Sequence, residues 1–217
     1  IYQSCKNNQG SKHLLCLQDT TQINFHYNIN RIGKDNIGSV ASKNAGIFCH
    51  PTLVVEPDHS IPIGISSVKL WNRAWDRKSK SERKYKSQHV TEKESYRWIE
   101  SALYTKELLS DTPTLTVIGD RESDIYEEFV LVPDNQTHLL VRSSVNRKLY
   151  NSDEKLFETL AASEEQGTYE IEIKGNKKRK TRVAKMSLRF KKVKIQKPNN
   201  ISSKDYPDYV EMWAIET

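Results

Sequence analysis

Three early stretches of the chain read as strands, and the last of them alternates apolar and polar residues with the period of two expected of a half-buried strand. Residues 13–27 read as one strand with a polar middle around Asp19, Thr20 and Thr21. Residues 46–56 read as a second strand, Pro57 to Ser60 as a turn, and residues 61–71 as a third, which together predict an antiparallel meander. Residues 76–89 are dense in charge and carry no period. Thr91 then precedes Glu94 by three positions, the spacing of a capping box. Tyr96, Ile99, Ala102, Leu103 and Leu109 follow near helical spacing, so a helix is predicted over 91–109, ended by Asp111, Thr112 and Pro113. Residues 114–119 form a short apolar run suited to a buried strand, with Asp120 at its C-terminal end. Ser123 and Asp124 stand where they can cap a helix carrying Ile125, Tyr126, Phe129 and Val130, and residues 137–145 make another strand.

The predicted order is β-β-β-α-β-α-β: three antiparallel strands and then α/β alternation. That order predicts an α/β fold of RNase H-like type, built on a mixed sheet. Beyond residue 147 the character changes. A short helix is predicted over 155–161, followed by strands Gly167–Lys174, Thr181–Ile195 and Tyr209–Glu216. The division expected is therefore an α/β portion over 1–147 and an all-β addition over 148–217.

The charge is unevenly distributed. The 217 residues carry a formal charge of +6, yet residues 174–197 hold twelve Lys or Arg and no acid, leaving the remainder net negative. Lys177, Lys178, Arg179, Lys180 and Arg182 are thus candidate contacts to a DNA backbone, which is held by salt-sensitive neutralisation of phosphates. The plainer alternative is a solvated hairpin whose lysines keep its edges from aggregating. A second group, Arg77, Lys78, Lys80, Arg83, Lys84 and Lys86, lies before the predicted helix, and a mobile charged loop accounts for it equally well. Three cysteines, Cys5, Cys16 and Cys49, match no CxxC pattern, which argues against a disulfide scaffold and for a reducing cytoplasm. Cys16, Cys49, Trp71, Trp75, Trp98 and Trp213 read as packing residues, and His50 as a satisfied core histidine. No run is long and apolar enough to span a membrane, and no signal peptide is visible.

Phosphodiester cleavage or transfer by water or a 3′-hydroxyl is served by a pair of divalent metals held by hard oxygen ligands. Such ligands must converge from different strands on one rim of a sheet. Asp19 interrupts an apolar strand and Asp120 ends one, which makes both candidates for binding Mg2+ or Mn2+. An exposed strand end for Asp19 and an N-cap role for Asp120 are the alternatives. Arg121 is placed to orient a carboxylate or touch phosphate, while Glu122 and Asp124 are either supporting groups or simple acids at a helix N-terminus.

Several of these segments resemble the catalytic-core motifs of IS4-group, Tn5-like DDE transposases. They are Gln18-Asp19-Thr20-Thr21, the stretch from Gly46 through His50-Pro51-Thr52-Leu53, residues 91–98, Asp120-Arg121-Glu122-Ser123-Asp124-Ile125-Tyr126, and residues 167–173 with the basic segment after them. The resemblance runs over nearly the whole chain, and the Asp-Arg-Glu-x-Asp motif is its most specific part. It implies that Asp19 and Asp120 are the first two carboxylates of a catalytic triad, catalytic and metal-binding, with Thr20, Thr21, Arg121, Glu122 and Asp124 beside them. It implies double-stranded DNA as partner, both transposon ends and target, a homodimer in the synaptic complex, and a bacterial, nucleoid-associated protein. The family's third carboxylate lies in a helix with Tyr-x-x-Arg-x-x-x-Glu spacing, and no Tyr here is followed by Arg at that distance. The resemblance thus implies a fragment: a catalytic-core portion over 1–147 and a β-rich insertion subdomain over 148–217, cut short at its C-terminal end, with the triad incomplete. Two alternatives stand beside the transposase: a truncated chain that binds DNA or partner subunits without cutting, and another RNase H-like nuclease.

Overall fold

The computed structural model describes residues 12–33, 36–41, 44–201 and 204–217. Cys5 lies outside them. The chain divides into two compact units, Ile1–Ser144 and Val145–Thr217.

The first unit is a mixed α/β structure around a six-stranded mixed sheet. Its strands are β1 (His13–Gln18), β2 (Thr21–Asn24), β3 (Gly46–Glu56), β4 (Ile61–Trp71), β5 (Thr114–Gly119) and β6 (Thr137–Val141). Its helices are a one-turn α1 (Ile29–Ile32), then α2 (Tyr96–Leu108) and α3 (Tyr126–Leu131). The strand order is β2-β3-β1-β5-β6, with β4 pairing β3. β3 runs antiparallel to β1, β2 and β4, whereas β5 is parallel to β1 and β6 is parallel to β5. Leu14 and Cys16 on β1, Val54 on β3, Leu115 and Val117 on β5, and Ala102 and Leu108 on α2 close one core with Leu109 and Val132.

The single strand expected over 13–27 is two strands, because the chain breaks at Asp19–Thr20. β3 runs unbroken past both: Gln18 is opposite Thr52, and Thr21 is opposite Cys49. His50 and Pro51 therefore face the interruption, where the ladder on that side is broken anyway and a residue without an N–H is tolerated.

The helix expected from 91 begins at Tyr96. Val90–Glu92 is a separate 3-10 turn. The capping box does not form, since the Glu94 carboxylate is occupied by Arg73, whose Nη2 donates at 2.6 Å, and by Arg77. Ser123 and Asp124 likewise do not cap α3. The Ser123 hydroxyl bonds Glu128, and the Asp124 carboxylate accepts from the backbone N–H of Ser144 at 2.8 Å.

The second unit holds a three-stranded antiparallel sheet in the order β7 (Gly167–Ile173), β8 (Arg182–Gln196), β9 (Tyr209–Glu216), with the helix α4 (Leu156–Ala161). Leu149, Leu156, Leu160, Val193 and Ile195 are its buried apolar residues. Trp213 is not among them: it is 62% exposed. Alternation places it on the face of Tyr209, Glu211 and Ile215, away from Met212 and Ala214. Trp98 is buried, Trp75 donates to the Ile37 carbonyl, and Trp71 stacks on Phe48. Cys16 is buried and Cys49 half-buried. Among the described residues no helix is long and apolar enough to cross a membrane.

Candidate active site

Parallel pairing of β1 with β5 builds the site. Leu17 lies opposite Ile118, and that register carried two residues further sets Asp19 beside Asp120. Neighbouring strands lie about 4.8 Å apart. The two aspartates thus leave adjacent strands at the same C-terminal rim. Both are exposed. Each is preset by its own loop: Asp19 Oδ1 accepts from the N–H of Thr20 at 2.7 Å, and Asp120 Oδ1 from the N–H of Glu122 at 2.8 Å. The Asp120 bond is also the cap of the 3-10 turn Arg121–Ser123, so capping and presentation at the rim are one arrangement.

Arg97, on the first turn of α2, ties the two loops together. Its Nε donates to Thr20 Oγ1 at 3.0 Å, its Nη1 to the Glu94 carbonyl at 2.9 Å, and its Nη2 to the Glu122 carboxylate. The guanidinium carbon lies 5.2 Å from the Trp71 ring centre and 5.5 Å from that of Trp98, within cation–π range. Thr20 Oγ1 also shares a hydrogen bond of 2.9 Å with Nδ1 of His50. Burial pushes the His50 imidazole down to about 4, with the charges of Arg97 and Lys69 adding to it and the Asp19 carbonyl opposing it. His50 is therefore neutral at pH 7 and adds no positive charge beside the aspartates.

Beneath Asp120 lies a buried carboxyl group. Glu128 is fully buried, and both its oxygens stand 2.8 Å from the Ser123 hydroxyl. Burial raises its pKa to about 8, with the Asp124 charge adding to the rise and the Ser123 bond opposing it. Gly119 packs directly on this pair, since a Cβ there would come within 2.4 Å of Ser123 Cβ and Oγ.

The structure brings Asp19, Thr20, Asp120 and Glu122 together at the rim. Asp124 is turned to Ser144, Thr21 begins β2 as an exposed residue opposite Cys49, and Arg121 is exposed next to Asp120. Lys177, Lys178, Arg179, Lys180 and Arg182 belong to the second unit. All are exposed: Lys177 to Lys180 on the β7–β8 turn, where Asn176 Oδ1 accepts from the N–H groups of Lys178 and Arg179, and Arg182 at the start of β8. Arg97 and Glu128 were not singled out by sequence reasoning, and Glu94 was read only as a helix cap. A signal for Arg97 existed: it shares the buried stripe of α2 with Ser101, Thr105 and Leu108, and a charge on a buried stripe needs partners. For Glu128 nothing in the spacing of α3 separated it from the neighbouring acids.

Two exposed aspartates on one rim are hard oxygen donors of the kind Mg2+ and Mn2+ take. Among the described residues, no three His, Cys, Asp or Glu side chains gather as a metal site. No protein-family model matches the chain.

Proposed function

We propose that this chain carries part of the catalytic centre of a DDE-type DNA transposase on an RNase H-like core. The observation that carries this reading is the side-by-side exit of Asp19 and Asp120 from parallel neighbours β1 and β5, with Arg97 linking their loops. The sheet order supports the fold part of the reading: an antiparallel trio, β1 (continued by β2), β3 and β4, followed by β5 and β6 joined in parallel to the β1 side. In this reading Asp19 and Asp120 hold Mg2+ or Mn2+, which supplies nucleophile activation and charge stabilisation at a phosphodiester. The chain's own contribution is to fix both carboxylates through their loop N–H groups, to brace Thr20 and Glu122 with Arg97, and to keep His50 neutral. Double-stranded DNA is the substrate, a homodimer holds two ends, and the protein works in the bacterial cytoplasm at the nucleoid.

Titration of the full chain with Mn2+, followed by loss of the free-ion electron paramagnetic resonance signal, tests the site. Wild type should bind in the millimolar range or tighter, and Asp19→Asn and Asp120→Asn should each weaken binding at least tenfold. Equal binding by wild type and both variants would remove the metal assignment.

The second reading is a chain that binds DNA without cutting it. It is favoured by the turn from Lys177 to Lys180, whose exposed cations have no ion-pair partner among the described residues.

A further inference from the structure

The segment between β4 and α2 has more order than its composition implies. The Tyr85 N–H donates to the Lys80 carbonyl at 3.0 Å, the Arg83 N–H to the Ser79 carbonyl at 3.1 Å, and Arg83 Nε to the Lys78 carbonyl at 3.1 Å. The Glu82 carboxylate is occupied by Ser79, accepting from its N–H at 2.8 Å and its hydroxyl at 2.6 Å. These bonds gather three cations on one aromatic ring. Lys80 Nζ and the Arg83 guanidinium carbon each lie 5.5 Å from the Tyr85 ring centre, and Lys93 Nζ lies 5.8 Å from it.

All three charges lie within 5.8 Å of one ring centre, so at low salt, where the screening length reaches about 30 Å, they repel one another. None of the three is ion-paired with a described carboxylate. Of the acids on the same segment, Glu82 is occupied by Ser79 and Glu94 by Arg73 and Arg77, and Asp76 and Glu92 are paired with none of the three cations. Cation–π attraction to Tyr85 offsets part of the mutual repulsion. The rest is relieved when an anion joins them, and a backbone carrying several phosphates matches three cations better than a single small ion.

The cluster is also connected to the carboxylate rim. Arg73 and Arg77 pin the Glu94 side chain, the Glu94 carbonyl accepts from Arg97, and Arg97 bonds Thr20 next to Asp19. We infer that Lys80, Arg83 and Lys93, collected on Tyr85, form a phosphate-backbone subsite of the first unit that holds duplex DNA near Asp19 and Asp120. The inference rests on the DNA reading above and gives it a contact surface in the same unit as the carboxylates.

Lysine acetylation of the full chain, with and without a 30-base-pair duplex at low salt and read by mass spectrometry, tests it without altering the protein. Lys80 and Lys93 should lose most of their reactivity when DNA is bound. In parallel, the Lys80→Gln/Arg83→Gln/Lys93→Gln variant should bind the duplex about tenfold more weakly. Its slope of log affinity against log salt should be shallower by about 2 to 3, since each phosphate contact contributes about 0.9. The charge-keeping Lys80→Arg/Arg83→Lys/Lys93→Arg variant should bind like wild type. Protection confined to Lys178 and Lys180, with the Gln variant unchanged in affinity and slope, would overturn the subsite and leave the DNA reading standing. A wild-type chain with no affinity for duplex at low salt would overturn both.

Discussion

Glu128 shows how strongly one position can bind a protein's stability to pH. A hydroxyl has a single proton, so Ser123 cannot donate to both carboxyl oxygens at once. A protonated Glu128 resolves this by donating back through one oxygen, in line with a pKa raised by burial to about 8. Between about 4.5 and 8 the folded chain then holds a proton that the unfolded chain has released, so this group's contribution is complete at low pH and is lost as pH rises through that window. His50 acts in the opposite sense. Its folded pKa of about 4 lies below the ordinary 6.5, so the unfolded chain takes up the extra proton and stability falls as pH drops from about 6.5 to 4. Glu128→Gln keeps the shape and the Ser123 bond without the titration. At about pH 4.5 the variant's melting temperature should lie close to wild type, and from there to about pH 8 the difference should grow in the variant's favour as wild type loses the contribution of Glu128. Parallel curves would mean that Glu128 titrates normally.

The elements were legible in the sequence where alternation and apolar spacing decide them, and less so where side-chain partners do. Alternation marked β4, and apolar runs marked β3 and β5, because each carries residues that must be buried. The break between β1 and β2 was hidden, because Asp19 and Thr20 sit at a rim where exposure costs nothing and pattern carries no information. The start of α2 was misplaced because Glu94 has the right spacing for a cap but binds Arg73 and Arg77, residues about twenty positions earlier. The two candidate aspartates were visible as charges at apolar strand ends. Their adjacency needed the parallel β1–β5 register, a long-range pairing that local sequence does not encode. β9 taught a narrower lesson: Trp213 was assigned to the core from its chain neighbours, though a strand's faces are shared by second neighbours. This has a measurable consequence. Trp98→Ala, which empties a position 1% exposed, should cost about 3–5 kcal/mol in denaturant unfolding. Trp213→Ala, at 62% exposed, should cost less than about 1 kcal/mol. Similar losses for both would contradict the outward face of β9.

At the scale of the whole molecule, charge is partitioned in a way that neither unit's packing requires. Part of the β8 and β9 charge is cancelled within the sheet or beside it: Lys192 pairs with Glu211, Arg189 with Glu216, and Lys197 with Asp208. Lys194 lies over Tyr209. Arg182, Lys185 and Lys191 on β8 have no ion-pair partner among the described residues, and the β7–β8 turn adds four more such cations in a row. Lys177 to Lys180 project from a tip whose backbone is shaped by Asn176 and by the Gly175 N–H donating to Thr181, with no carboxylate among its residues. A hairpin that needed lysines only to guard its edges would place them along the strands rather than concentrate them at the turn. Lys178→Ala/Arg179→Ala/Lys180→Ala changes only exposed side chains, so its thermal stability should match wild type, because such surface sites are worth about 0.5 kcal/mol or less. Its affinity for duplex DNA should fall about tenfold near 0.1 M salt, and its salt slope should lose about 2 to 3. Fluorescence anisotropy over a salt series reads both quantities. A variant with wild-type affinity and slope would assign the turn to solvation alone and leave DNA contact to the first unit.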